Sequence, residues 1–381
     1  MKILLVGEYS RLHNSLKEGL IRLGHQVDIV STGDSFKNYS TDFSIAPVLI
    51  NRNLLTRTIK KIAYKLFIDL EKIEKAYQFY RLLPQLSGYD HVQLINSDAI
   101  ETYPYLTLKL YKKLKQQNKK ISLLICGDET PITDYNLSGN LKYSVLTPYL
   151  NNQILKKQFY YPLKYSTKPY RKVFDWISSK TSVLITSDLD YEIPVREMGY
   201  KTIFIPNPIN IDVIKHNPLF IHEKIVVFLG INRMSYVKKG ICYFEEALRV
   251  VDLKYGDKLE IIVTENIPYA QYIKLYDSAH IVLDQVYAYD QGYNALEAMA
   301  KGKVVFTGAE NEFNQYYNLS EEVAINALPN VDAIVTDLSY LIEHPEKIVA
   351  IGNRARKFIE TEHNYIAIAK KYLAAWESDY K

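Results

Sequence analysis

MKILLVGEYSRLHNSLKEGLIRLGHQVDIVS, residues 1–31, is the stretch whose reading decides the fold. KILLVG is a short continuous apolar run, the pattern of a strand covered on both faces. SLKEGLIRLG repeats its apolar residues at helical spacing and stops at Gly24, a residue suited to ending a helix. HQVDIVS is again a strand. Strand, helix and strand in so short a space make a βαβ unit, and such units build parallel sheets. The pattern continues outward through the strands HVQLIN, KISLLICG, TSVLITS and KTIFIP. It then breaks at PNPINIDVIKHNP, where Pro206, Pro208 and Pro218 mark a linker. A second series follows: KIVVFLG, a helix through GICYFEEALRVV, LEIIVT, a helix through YAQYIKLYDSA, HIVLDQ, then KVVFTG and terminal helices. The expectation is an α/β protein of two doubly wound, Rossmann-like domains facing a cleft, with ligands beyond the carboxyl ends of the strands.

Composition agrees with two domains. A chain of 381 residues exceeds what one core usually organises, and 48% hydrophobic with 24% charged residues is ordinary for a globular protein. Cys126 and Cys242 stand far apart, without the spacing of a disulfide framework or a zinc site, which fits a reducing compartment. The apolar run at the start is too short for a signal peptide, and no stretch is long enough to span a bilayer. The expected location is therefore cytoplasmic, with the inner face of the cell membrane as a second setting.

A net charge of +4 is too mild to argue for nucleic acid, yet the cations cluster. Residues 52–81 hold eight of them among helically spaced aliphatics, and residues 109–120 add six lysines. Residues 156–172 add Lys156, Lys157, Lys164, Lys168, Arg171 and Lys172 between tyrosines. Each segment reads as a solvated helix face. Together, in one half of the chain, they also suit a peripheral contact with an anionic membrane.

Near the end of the second series, DQGYNALEAMAKGKVVFTG (290–308) sets one acid, Glu297, among alanines and before Gly302. Small residues there suit close helix–strand packing, so Glu297 reads as a placed carboxylate and not as part of a solvated face.

MKILLVGEYSRLHNSLKEGLIRLGHQVDIVS, IPNPIN, FLGINRMSYVKKG and GYNALEAMAKGKVV occur in the order seen in GT-B-fold retaining glycosyltransferases of the family 4 type, which the chain resembles over most of its length. The resemblance implies an acceptor-side domain over 1–207, a nucleotide-sugar domain over 208–362, and a last helix within 363–381 packing back on the first domain. It implies a hexosyltransferase that takes a UDP- or GDP-sugar as donor, needs no cofactor or metal, and passes the sugar to a glycan or lipid-linked glycan in surface polysaccharide synthesis. Glu297 would accept from the ribose hydroxyls, and the helix start at Gly292, Tyr293 and Asn294 would face the diphosphate. Arg233 and Lys239 would stabilise the leaving diphosphate. The family's further glutamate, eight positions before Glu297, is Tyr289 here, so its role passes to Asp290 or is absent. Asp284, at a strand end, would contact the donor or cap its loop. Where the family commonly places a histidine, this chain has Gly127, Asp128 and Glu129. Asp128 is then the candidate for a sugar hydroxyl or for orienting the acceptor, or is a polar turn. A non-catalytic nucleotide-sugar or polyanion binder of the same fold is the alternative.

Other motifs are sparse. The chain has no GxxxxGK loop and no GxGxxG after its first strand, so an NTPase or a dehydrogenase would lack its phosphate-binding loop. Asp188 to Asp190 imitate a metal-binding pair, but their place before a helix favours a cap at Ser187 or Asp188. His13 is expected as a solvated histidine of the first helical turn, with contact to a ligand as the lesser alternative.

Overall fold

The computed structural model describes residues 1–378 apart from 35–38, 266 and 268. Strands β1 (Lys2–Val6), β2 (Gln26–Ser31), β3 (Phe43–Ser44), β4 (His91–Leu94), β5 (Lys120–Ile125), β6 (Leu184–Thr186) and β7 (Ile203–Phe204) form one sheet, in the order β3-β2-β1-β4-β5-β6-β7. Strands β8 (Ile225–Ile231), β9 (Leu259–Glu265), β10 (Ile281–Leu283), β11 (Val304–Thr307) and β12 (Ile325–Asn326) form the other, in the order β12-β11-β10-β8-β9. Every pairing in both is parallel. The order reverses beside β1 in the first sheet and beside β8 in the second, and open α/β sheets place their ligand crevices at such switch points.

The opening unit folds as its pattern predicts. Lys2 to Val6 pair in register with Gln26 to Val30, and helix Leu12–Arg22 joins the two strands. Gly24 adopts φ +84° just beyond that helix, a conformation a side chain resists. His13 departs from expectation: it is fully buried, with Nδ1 2.7 Å from the Gly7 carbonyl. Burial pushes its pKa down to about 4, so the neutral ring donates from Nδ1. The turn through Ser10 and Arg11, both at positive φ, starts the helix early enough to turn His13 inward beside Leu12 and Leu16.

Two crossings connect the domains, and they touch. The first crossing, at Ile209, forms a parallel bridge to Asn364 on the second, with Ile209 N 2.7 Å from the His363 carbonyl. Beyond it, helix Tyr365–Glu377 lies on the first domain. A Cβ on Gly19 would come within 2.4 Å of the Tyr365 carbonyl oxygen, so glycine permits this close approach. At the far end Trp376 stacks on His91 at 4.4 Å between centroids and donates to Gln93 at 2.9 Å.

Candidate functional site

The carboxyl ends of the two sheets face each other across a cavity of about 260 Å³. Tyr9 after β1, Asn96 after β4, Asp128 after β5 and Asp188 after β6 line it from the first domain, Asn207 from the linker, and Gly292 and Tyr293 from the second domain. Tyr9, Asn96, Asp128 and Asp188 each follow a strand closely, which explains how residues so distant in sequence come together.

On the second domain's side, β8 leads through a turn to the short helix Tyr236–Lys239, and Gly240 at φ +64° turns the chain into helix Ile241–Tyr255. This geometry aims Lys239 at the end of β10. Its Nζ lies 2.7 Å from Asp284 Oδ1, and Asn294 Nδ2 donates to the same oxygen at 3.1 Å. Asp284 is buried, and its Oδ2 has no hydrogen-bond partner among the described residues. Three residues assigned separate roles in the sequence therefore form one cluster. Arg233 stands apart from it, in an exposed bidentate pair with Glu265 at 2.8 and 2.6 Å. Glu297 is half-buried on helix Tyr293–Ala300, whose alanines and Met299 turn inward.

On the first domain's side, Asp128 borders the cavity. Burial raises its pKa, and the charges of Lys238 and Lys164 pull it back down. Lys238 is thus near enough for its charge to act on Asp128, and it makes no ion pair among the described residues. Glu129 is fully buried and caps helix Thr130–Ser138 while accepting from Ser97 N at 2.8 Å and Ser97 Oγ at 2.7 Å. It braces the loop that carries Asp128.

The basic segment 156–172 is not one solvated face. Lys164 is buried, 2.9 Å from Asp98, with its ammonium 3.7 Å from the centre of the Tyr161 ring and 4.7 Å from that of Tyr165. Arg171 forms a bidentate pair with Asp134. Lys164 turns inward and Arg171 is held at the surface, each by an acid distant in sequence, which spacing cannot reveal. Tyr161 and Tyr165 meanwhile line the cavity.

Asp290 is absent from the cavity lining. It is buried, and accepts from Leu189 N at 3.1 Å and Gln291 N at 2.7 Å. Reciprocally, Asp190 accepts from the backbone of Tyr289 and Asp290 at 2.9 and 3.2 Å. Asp188 caps helix Leu189–Glu197, as its position predicts, through Asp190 N at 2.8 Å. Tyr289 points its hydroxyl at Lys142 N, 3.0 Å away, and the Tyr293 hydroxyl donates to the Pro208 carbonyl at 2.8 Å beside Ser15. The side chains of Tyr289, Asp290 and Tyr293 therefore join the domains. Sequence reasoning missed Asn207, Tyr9, Tyr161 and Asp98. Only strand-end placement could have suggested Tyr9, and the linker prolines Asn207.

Residues 242–374 match the family described as glycosyl transferase-like. Nearly the whole chain is similar to solved structures, among them the following three. Sucrose-phosphate synthase from Thermosynechococcus elongatus aligns at TM-score 0.61 and 16% identity, over 99% of this chain and 98% of that one. HepE from Anabaena, in complex with UDP-glucose, aligns at 0.56 and 13%, over 98% of each chain. The UDP-GlcNAc 2-epimerase from Neisseria meningitidis, bound to UDP-GlcNAc, aligns at 0.53 and 13%, over 98% and 99%. The fold is GT-B. No curated protein matches the chain. At these identities the likeness to the solved structures is one of fold. No described helix is long and apolar enough to cross a membrane.

Proposed function

We propose that the chain is a retaining glycosyltransferase that moves a hexosyl group from a nucleotide-diphosphate sugar to a glycan or lipid-linked glycan acceptor. The observation that carries the reading is the cavity between the domains, bordered by the Asp128 carboxylate on one side and by the start of helix Tyr293–Ala300 on the other, where Asn294 of the same helix joins the Lys239–Asp284 pair. The glycosyl transferase-like match over 242–374 supports it. The donor's ribose meets Glu297, and its diphosphate meets Lys238, Lys239 and the start of helix Tyr293–Ala300, where backbone N–H groups favour an anion. In the reaction the bond from the anomeric carbon to the diphosphate oxygen breaks, and the diphosphate leaves with the electron pair. Lys238 and Lys239 act mainly at this point, because charge grows there in the transition state. The acceptor hydroxyl, oriented by Asp128, attacks on the face the diphosphate leaves, and its proton passes to the departing phosphate oxygen.

The alternative, a non-catalytic nucleotide-sugar binder, is favoured by one observation. Tyr289 and Asp290, the positions where a further donor-side carboxylate would stand, are used to join the domains. A nucleotide-sugar screen by thermal shift identifies the donor, since a ligand at a hundred times its Kd stabilises by about 2.7 kcal/mol. Release of free nucleoside diphosphate on adding an acceptor, with the anomeric configuration kept in the product, separates transferase from binder. Glu297→Ala should weaken nucleotide binding by about 1.5–3 kcal/mol, the range for hydrogen bonds to charged groups. Unchanged affinity in the folded variant removes the ribose assignment.

A further inference from the structure

Helix Leu54–Lys65 buries none of its residues. It persists because Asn53 caps it in a reciprocal box with Thr56, and because Lys60 reaches Glu71 at 2.6 Å. Only the side of Thr56, Lys60 and Ala63 is partly covered. The outward side carries Leu54, Leu55, Ile59 and Ile62, with Leu54 81% and Leu55 69% exposed, and continues into Leu66 and a 96% exposed Phe67. Phe67 sits at φ +62°, where residues other than glycine are uncommon, so the turn holds a large apolar ring in solvent at some strain. Arg52, Arg57, Lys61 and Lys65 flank this apolar face, and no acid occurs between Arg52 and Ile68.

We propose that this helix and the Phe67 turn seat the protein on an anionic lipid bilayer, with the aliphatic face among the acyl chains and the cations at the headgroups. Apolar and cationic surface together on a lone helix match an interface that is oily below and negative above. A second copy of the chain is a poor occupant, because a two-fold contact would set Arg57, Lys61 and Lys65 against their own equivalents. Nucleic acid would meet leucine and isoleucine where it wants aromatic or polar partners.

The placement also bears on the proposed reaction. The Asp69 N–H, at the end of the Phe67 turn, donates to the Tyr103 hydroxyl at 2.7 Å. The loop leading to Tyr103 carries Asp98, the partner of Lys164 beneath the cavity residue Tyr161. A seated helix is thus linked through Tyr103, Asp98 and Lys164 to the wall of the cavity, the side on which the proposal has a lipid-linked acceptor presented. This last step rests on the transferase reading, whereas the seating does not.

Vesicle flotation tests the seating. The wild type is expected to float with phosphatidylcholine vesicles containing phosphatidylglycerol, not with phosphatidylcholine alone, and to detach as salt shortens electrostatic range. Leu55→Glu with Ile62→Glu should abolish flotation, and Lys61→Gln with Lys65→Gln should weaken partitioning by roughly fivefold per lost charge. All four positions are exposed, so the thermal shift given by the donor nucleotide should persist in both variants, which keeps failure of the seating distinct from failure of the transferase reading. Absence of flotation at low salt, or flotation unchanged by the two glutamates, overturns the proposal. So does a wild-type dimer in sedimentation that the glutamates split without any vesicle binding, since the face would then cover a second copy.

Discussion

Lys239 and Asp284 show how one contact carries both structure and chemistry. Asp284 is almost wholly buried, whereas Lys239 keeps about a third of its side chain in solvent, so the cation neutralises an interior acid and still meets solvent. Lys239→Ala strands that carboxylate. Because the lysine is partly solvated, the expected cost is about 1–3 kcal/mol, below the range for fully buried pairs. Turnover should fall further, by about a hundredfold, if the cation stabilises the leaving diphosphate. Adding Asp284→Asn separates the two effects. Stability by urea unfolding should recover while turnover stays low; recovery of turnover as well would mean that Lys239 serves only to neutralise Asp284. At this scale the sequence exposed the members of the cluster but not their meeting. Lys239, Asp284 and Asn294 stood out because each follows a strand or opens a helix. The Asp98–Lys164 pair left no trace, because its partners lie 66 positions apart and their contact depends on the sheet order.

Among the elements, long apolar runs were legible and brief pairings were not. The strands β1, β2, β4, β5, β6, β8, β10 and β11 lie within runs visible in the chain, since burial on both faces demands continuous hydrophobicity. The edge strands β3 and β12 have two residues each, too few for any periodicity, and exist only because a neighbouring strand offers its free edge. The basic segments were legible as helices but not in their orientation: Leu54–Lys65 faces solvent whereas Lys164 and Arg171 face acids. Gly240 was legible and specific. It holds φ +64° between two helices, and a Cβ there would stand 2.3 Å from Val286 Cγ2. Gly240→Ala must shift the short helix carrying Lys239, whose carbonyl accepts from Val286 N at 3.0 Å. The expected result is a folded protein whose nucleotide affinity drops about tenfold, equivalent to about 1.4 kcal/mol. Isothermal titration checks it, and full affinity would mean that Lys239 lies outside the donor site.

Across the whole molecule, the two sheets were predictable and the way they are joined was not. The joint consists of paired backbone crossings at Ile209 and Asn364 and of the acids Asp188, Asp190 and Asp290, which cap and clasp each other's loops at the domain boundary. No pattern in either half announces it, since each acid alone looks like a turn or cap residue. Three carboxylates in so dry a place have a consequence for pH. Burial is the main cause that pushes Asp290 up to about 7, with the neighbouring Asp190 charge adding to it and two backbone donors opposing. A raised carboxyl pKa means that the folded protein binds the proton more tightly than the unfolded chain, so this group's contribution to stability declines as pH rises from about 4 to about 7 and is level above that. Asp290→Asn resembles the protonated acid and has no such dependence. Relative to wild type, the variant's unfolding free energy should therefore climb across that window, by at most about 1.4 kcal/mol for each pH unit. Urea unfolding of both proteins at a series of pH values reads the difference directly. If the difference stays flat from pH 4 to 7, the two N–H groups offset burial and Asp290 titrates as it does in the unfolded chain. A fall confined to the acid end of that range would mean that those donors outweigh burial and that the domain joint strengthens, instead of loosening, as the carboxylate ionises.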